Sequence, residues 1–201
     1  MIKSLVLLMC LLWYNYYGDN MKEKSVSKSK DLVLLIIIGL CLFVPAFLQQ
    51  LVNLGAHKQL IIGTIVNSAL FASALYISDN KKIIALSLLP SISSMATGIL
   101  FGGLTYYSKL MIPFIWIGNL SLVYLTKLLM NKIKYIPAGI VGIVVKVSVI
   151  YGGFLLLTHI VDFPAKVASV MGTAMGITQV YTASLGFIVS LIIIGVRKIR
   201  N

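Results

Sequence analysis

Six apolar runs, each close to the length of a membrane crossing, set the terms for this chain: roughly 32–50, 59–78, 83–103, 110–128, 136–158 and 175–196. A helix of ~20 residues crosses the ~30 Å of bilayer hydrocarbon, where it satisfies its own backbone polar groups. The runs therefore predict an all-α, polytopic membrane protein, a six-transmembrane-helix bundle. Composition agrees, since 59% hydrophobic and 11% charged residues, with a mean hydropathy of +1.00, leave too little polar surface for a soluble domain. Short connections make residues 32–201 a single membrane domain.

Orientation follows from the basic residues, because Lys and Arg near span ends are retained on the cytoplasmic face. Thirteen of the seventeen fall on one side: Lys3, Lys22, Lys24, Lys28 and Lys30 before the first run, Lys81 and Lys82 between the second and third, Lys127, Lys132 and Lys134 between the fourth and fifth, and Arg197, Lys198 and Arg200 at the end. The alternate connections carry Lys58, Lys109 and Lys166. Both termini are expected in the cytoplasm, and the protein as a multi-pass protein of the cell membrane, a prokaryotic plasma membrane. The net charge of +12 is spread over separate helix ends rather than gathered into a stripe, which argues against nucleic acid as a partner. Residues 1–31 read as an N-terminal extension. Its apolar stretch Ser4 to Trp13 is only ~15 Å long as helix, too short to span, and Met21 opens a sufficient cytoplasmic flank, so the native start is expected near Met21.

Polar side chains inside hydrocarbon are costly, so function is sought where they occur. Asn67 shares a helical face with Thr64 and Ser68. Asn119 lies one turn after Trp116, in a run that Pro113 opens, and Gln179 aligns with Thr182, Ala183 and Gly186. Lys146, inside the fifth run, is on one stripe with Gly139, Gly142 and Gly153, and glycines let helices approach closely. At ~1.5 Å per residue, Asn67 and Asn119 fall ~12–14 Å below the outer surface, Lys146 near the centre and Gln179 shallower. These positions can converge on a cavity entered from outside, with Trp116 or Tyr106 as a stacking surface. They can equally join helices, amides being worth ~0.6–2 kcal/mol each in that role. No acid inside a run faces Lys146: Asp19, Glu23, Asp31, Asp79 and Asp162 are all at ends or in connections. Either an anionic ligand group meets the lysine, or it is held as a neutral amine by Asn or Gln.

Catalytic patterns are missing. There is no HExxH, no GxSxG and no paired acidic motif, and the only histidines, His57 and His159, are placed in outer connections. An enzyme is not expected, nor a metal or other cofactor; Cys10 and Cys41 have no ligand partners at suitable spacing. Without a GxxxxGK[ST] loop, any ATP-driven movement draws on a partner.

The ordered set GTIVNSALF (63–71), LPSISSMATGILFGGL (89–104), MIPFIWIGN (111–119), GIVVKVSVIY (142–151) and MGITQVYTASLG (175–186) resembles an uncharacterised group among the substrate-binding S components of energy-coupling factor (ECF) transporters. The resemblance implies a subunit of an ABC-type importer that captures a vitamin-like micronutrient from outside and delivers it inward. Its implied partners are the lipid bilayer, a small-molecule ligand, anionic if it meets Lys146, a shared ECF transmembrane subunit and two ATPase subunits. The chain departs from the pattern at the first run, where Gly39, Cys41 and Ala46 replace the regular small-residue patch that docks the shared subunit. A stand-alone secondary transporter or channel-like permease for a small solute is the alternative reading, and a purely structural membrane protein a third.

Overall fold

The computed structural model describes residues 33–41, 58–97 and 105–200. Expectations for 1–31, Ala46, His57 and the end of the third run at 98–103 lie outside them. The described residues are helical apart from short connections: α1 (33–41), α2 (Lys58–Tyr76), α3 (Asn80–Thr97), α4 (Thr105–Leu110), α5 (Ile112–Ile133), α6 (Tyr135–Ile160), α7 (Ala165–Met175) and α8 (Ile177–Arg200). Four helical stretches are long and apolar enough to cross a membrane: Gln59–Tyr76, Ile112–Ile133, Tyr135–Ile160 and Ala165–Ile193. The described part of the third run, α3, is not among them. It carries Lys81 and Lys82 in its first turn, Pro90, and serines at 87, 91, 93 and 94, and the apolar residues that finish the run come after Thr97.

Local chemistry explains the boundaries. The Asp79 carboxylate accepts the Lys81 amide at 2.8 Å, capping the start of α3. Pro113 occupies the first turn of α5, where no helical hydrogen bond is lost. A single residue, Lys134, at φ 69° and ψ 167°, reverses the chain between α5 and α6. Val161 is extended before Asp162-Phe163-Pro164, which stops α6, and α7 breaks at Gly176 before α8. The segment 159–174 divides: His159 belongs to the last turn of α6, while Ala165–Met175 is a helix with Met171, Ala174 and Met175 buried.

Close contacts fix the directions of the helices. Phe114 lies over Gly153, Ile150 over Gly118, and Leu122 and Thr126 over Gly142, so α5 and α6 are an antiparallel hairpin. Thr182 lies over Gly63, Asn67 over Gly186, and Phe71 beside Phe187 with ring centroids 4.9 Å apart, so α2 and α8 are parallel. At one end, Lys127 Nζ donates to Ser78 O at 2.8 Å and Tyr124 to Asn80 O at 3.3 Å, while Tyr135 and Ser190 hydroxyls are 2.8 Å apart. Lys81, Lys82, Lys127, Lys132 and Lys134 thus share an end of the bundle. At the other end stand the start of α2, α4, the end of α6 and α7; Gln59 reaches Ala174 O, and the Tyr107, Phe154 and Phe163 rings cluster.

The outer surface differs from that of a water-soluble protein. Large apolar side chains stand outward, including Ile136, Ile140, Val144 and Leu155 on α6 and Ile177, Leu185, Ile188 and Ile192 on α8. Asn67, Asn119, Thr126, Lys146, Thr182 and Ser190 are buried inside. Such a surface suits hydrocarbon, and a protein of this kind is expected in a membrane. Two apolar clusters fill the interior: one around Leu70, Phe71, Ile83, Leu122 and Phe187, the other around Met111, Ile150, Phe154, Met171 and Met175.

Candidate functional site

Between the two clusters lies a cavity of about 120 Å³, and Asn67, Asn119, Lys146 and Gln179 all line it. Its walls come from α2 (Gln59, Gly63, Val66), α3 (Pro90, Ser91, Ser94, Met95), α4 (Ser108), α5 (Ile112, Ile115) and the α7–α8 junction (Met175, Thr182). Because α2, α5 and α8 all start at the end away from the basic cluster, these residues occupy that half of the bundle. Asn67 stands ~13 Å and Asn119 ~10 Å along their helices, and Lys146 near the middle of α6.

The lysine is buried, 2% exposed. Its Nζ donates to Asn67 Oδ1 at 2.5 Å, and Asn67 Nδ2 donates to Gly63 O at 2.9 Å, tying the amide to its own helix. An ammonium has three donors, and no second acceptor is found among the described residues. The acids described, Asp79 and Asp162, are in connections. Gly142, Lys146, Ile150 and Gly153 form the buried stripe of α6, and Gly118 of α5 sits against Ile150 and the Lys146 carbonyl. Glycine on both helices brings α5 and α6 close enough for the lysine stem to leave the lipid face.

The remaining amides are likewise held by a nitrogen donor on a backbone carbonyl. Asn119 Nδ2 donates to Ser87 O at 3.1 Å, a carbonyl beside the gap that Pro90 leaves in the α3 ladder. Gln179 Nε2 and Gln59 Nε2 both donate to Ala174 O, at 3.3 and 3.5 Å. A backbone carbonyl accepts only from the nitrogen end, so each amide oxygen is turned off its backbone partner.

Other expected positions are placed differently. Thr64 and Ser68 hydroxyls close onto the Leu60 and Thr64 carbonyls of their own helix at 2.8 Å each, and neither lines the cavity. Trp116 is also outside the lining; its Nε1 is buried without a partner among the described residues, as is Thr126 Oγ1. Tyr106 is in α4, with its side chain outside the described set. Gln59, Ser91, Ser94 and Ser108 line the cavity without having been singled out from sequence. Gln59 begins a span, where polar residues are unremarked, and serines satisfy themselves so readily in helices that their presence signals little. Among the described residues no three His, Cys, Asp or Glu side chains gather as a metal site.

What the arrangement can do is bind. It offers the Lys146 amine, amide and hydroxyl groups, and an apolar lining from Ile62, Val66, Ile112 and Ile115. No protein-family model matches the chain, and no curated protein or solved structure does either.

Proposed function

We propose that the protein captures a small polar solute in this cavity, from the side opposite its basic end, and serves as the S component of an ECF-type importer. The observation that carries this reading is Lys146: a lysine 2% exposed, in a span, with one amide partner and a cavity in front of it. A buried ammonium so poorly compensated is costly as scaffolding and useful as a receptor for an anion. The energy source is external, because the sequence contains no phosphate-binding loop and the described spans no carboxylate for ion coupling. The basic end faces the cytoplasm, and both termini lie there in a six-span topology.

Gentle purification from native membranes tests the proposal. Two ATPases and one further membrane subunit are expected to accompany the chain, and the reconstituted assembly to import solute only with ATP. Solute accumulation in liposomes by the purified chain alone, driven by an ion gradient, would overturn the importer assignment in favour of a self-sufficient permease.

A further inference from the structure

The hydrogen bonds inside the cavity restrict what it can hold. All four lining amides spend a nitrogen donor on a backbone carbonyl: Asn67 on Gly63, Asn119 on Ser87, and Gln59 and Gln179 on Ala174. Of their oxygens, that of Asn67 accepts from Lys146. Those of Asn119, Gln59 and Gln179 accept nothing among the described residues. The lining therefore has two poles, the Lys146 amine with unused donors and amide oxygens with unused lone pairs.

A ligand matching both poles carries an anionic acceptor at one end and an N–H or O–H donor at the other. Size narrows it further. A cavity of ~150 Å³ accommodates benzene, so the 120 Å³ here corresponds to about five non-hydrogen atoms within its walls. The inner pole is one lysine, which suits one negative charge better than two.

We infer that the ligand is a small monocarboxylate bearing a hydroxyl or amine donor, with its carboxylate on Lys146 and its donor on the oxygen of Asn119, which α5 carries within about a turn of the lysine's level. This rests on the cavity being the ligand site proposed above and names the class of solute it takes.

Titration calorimetry on the purified full chain in detergent tests it, with L-lactate, L-alanine, propionate and lactamide as probes. L-Lactate or L-alanine is expected to bind at least tenfold more tightly than propionate, which lacks the donor, and than lactamide, which lacks the charge. Lys146→Met should weaken the better ligand by thirtyfold or more. Asn119→Leu should keep the charge preference and shrink the advantage over propionate to under threefold. If either variant fails to fold, the wild-type series decides the matter. Equal affinity for lactamide and L-lactate, equal affinity for propionate, unchanged binding in folded Lys146→Met, or no binding of any probe at millimolar concentration overturns the inference. ATPases that co-purify with a chain binding none of these acids would remove the ligand class alone. Carboxylate binding by a chain that recruits no ATPase would remove the importer assignment alone.

Discussion

Lys146 and Asn67 depend on each other unequally. Removing the acceptor leaves an ammonium without its one protein partner, whereas removing the lysine frees only an amide oxygen that faces a cavity. Asn67→Leu is therefore expected to destabilise by about 2–3 kcal/mol and Lys146→Met by no more than about 1 kcal/mol. The double variant should be more stable than Asn67→Leu, a coupling that denaturant unfolding in micelles measures directly. Lys134 is strained for a different reason: φ 69° with ψ 167° is backbone that only glycine adopts freely. Lys134→Gly should raise stability by about 1 kcal/mol in the same assay, because relief of strain exceeds the entropy that glycine adds to the unfolded chain.

Adjacent glycines on α6 separate packing from propensity. A Cβ at Gly153 meets the Phe114 ring at 2.2 Å, and one at Gly152 meets nothing within 4 Å. Gly153→Ala should destabilise by about 1–3 kcal/mol by prising α5 from α6, and Gly152→Ala should stabilise by up to about 1 kcal/mol; thermal melts of the two variants give opposite shifts. The same helices illustrate what sequence alone conveys. The fourth, fifth and sixth runs predict α5, α6 and α8 within a few residues, because a continuous apolar stretch ended by Lys, Pro or Gly has few other solutions. The glycine stripe beside Lys146 marked the buried face of α6 for the same reason. What was not legible was α7, whose alternating small and apolar residues are too few to span and too apolar for a loop, and the break at Gly176, which depends on backbone angles rather than on composition. At the site, Asn67, Asn119, Lys146 and Gln179 were conspicuous as polar groups in apolar runs. Trp116 shares a helical face with Asn119 by spacing, yet it is Ile115 and Ile112 that reach the cavity, since a turn of 3.6 residues leaves neighbours of the same broad face on different sides of a narrow crevice.

On the scale of the molecule, the two ends of the bundle differ in charge and in chemistry, and which end faces the cytoplasm is measurable. In a background without Cys10 and Cys41, Ala165→Cys, exposed at the start of α7, should react with an impermeant maleimide in intact cells. Asn131→Cys, exposed beside the α5–α6 turn, should react only after permeabilisation. The reverse pattern would invert the topology and put the cavity mouth in the cytoplasm. The Lys146–Asn67 bond also carries a consequence for synthesis. A lysine at the centre of a lone helix raises the cost of insertion by ~2.5–3.5 kcal/mol. Its acceptor lies 79 residues earlier, on α2, so a chain emerging from its N-terminal side delivers Asn67 to the bilayer before α6 leaves the ribosome. Segment α6 enters beside a partner already in place, and the order of the chain turns its least insertable residue into one that recruits α6 to α2 as the bundle is assembled.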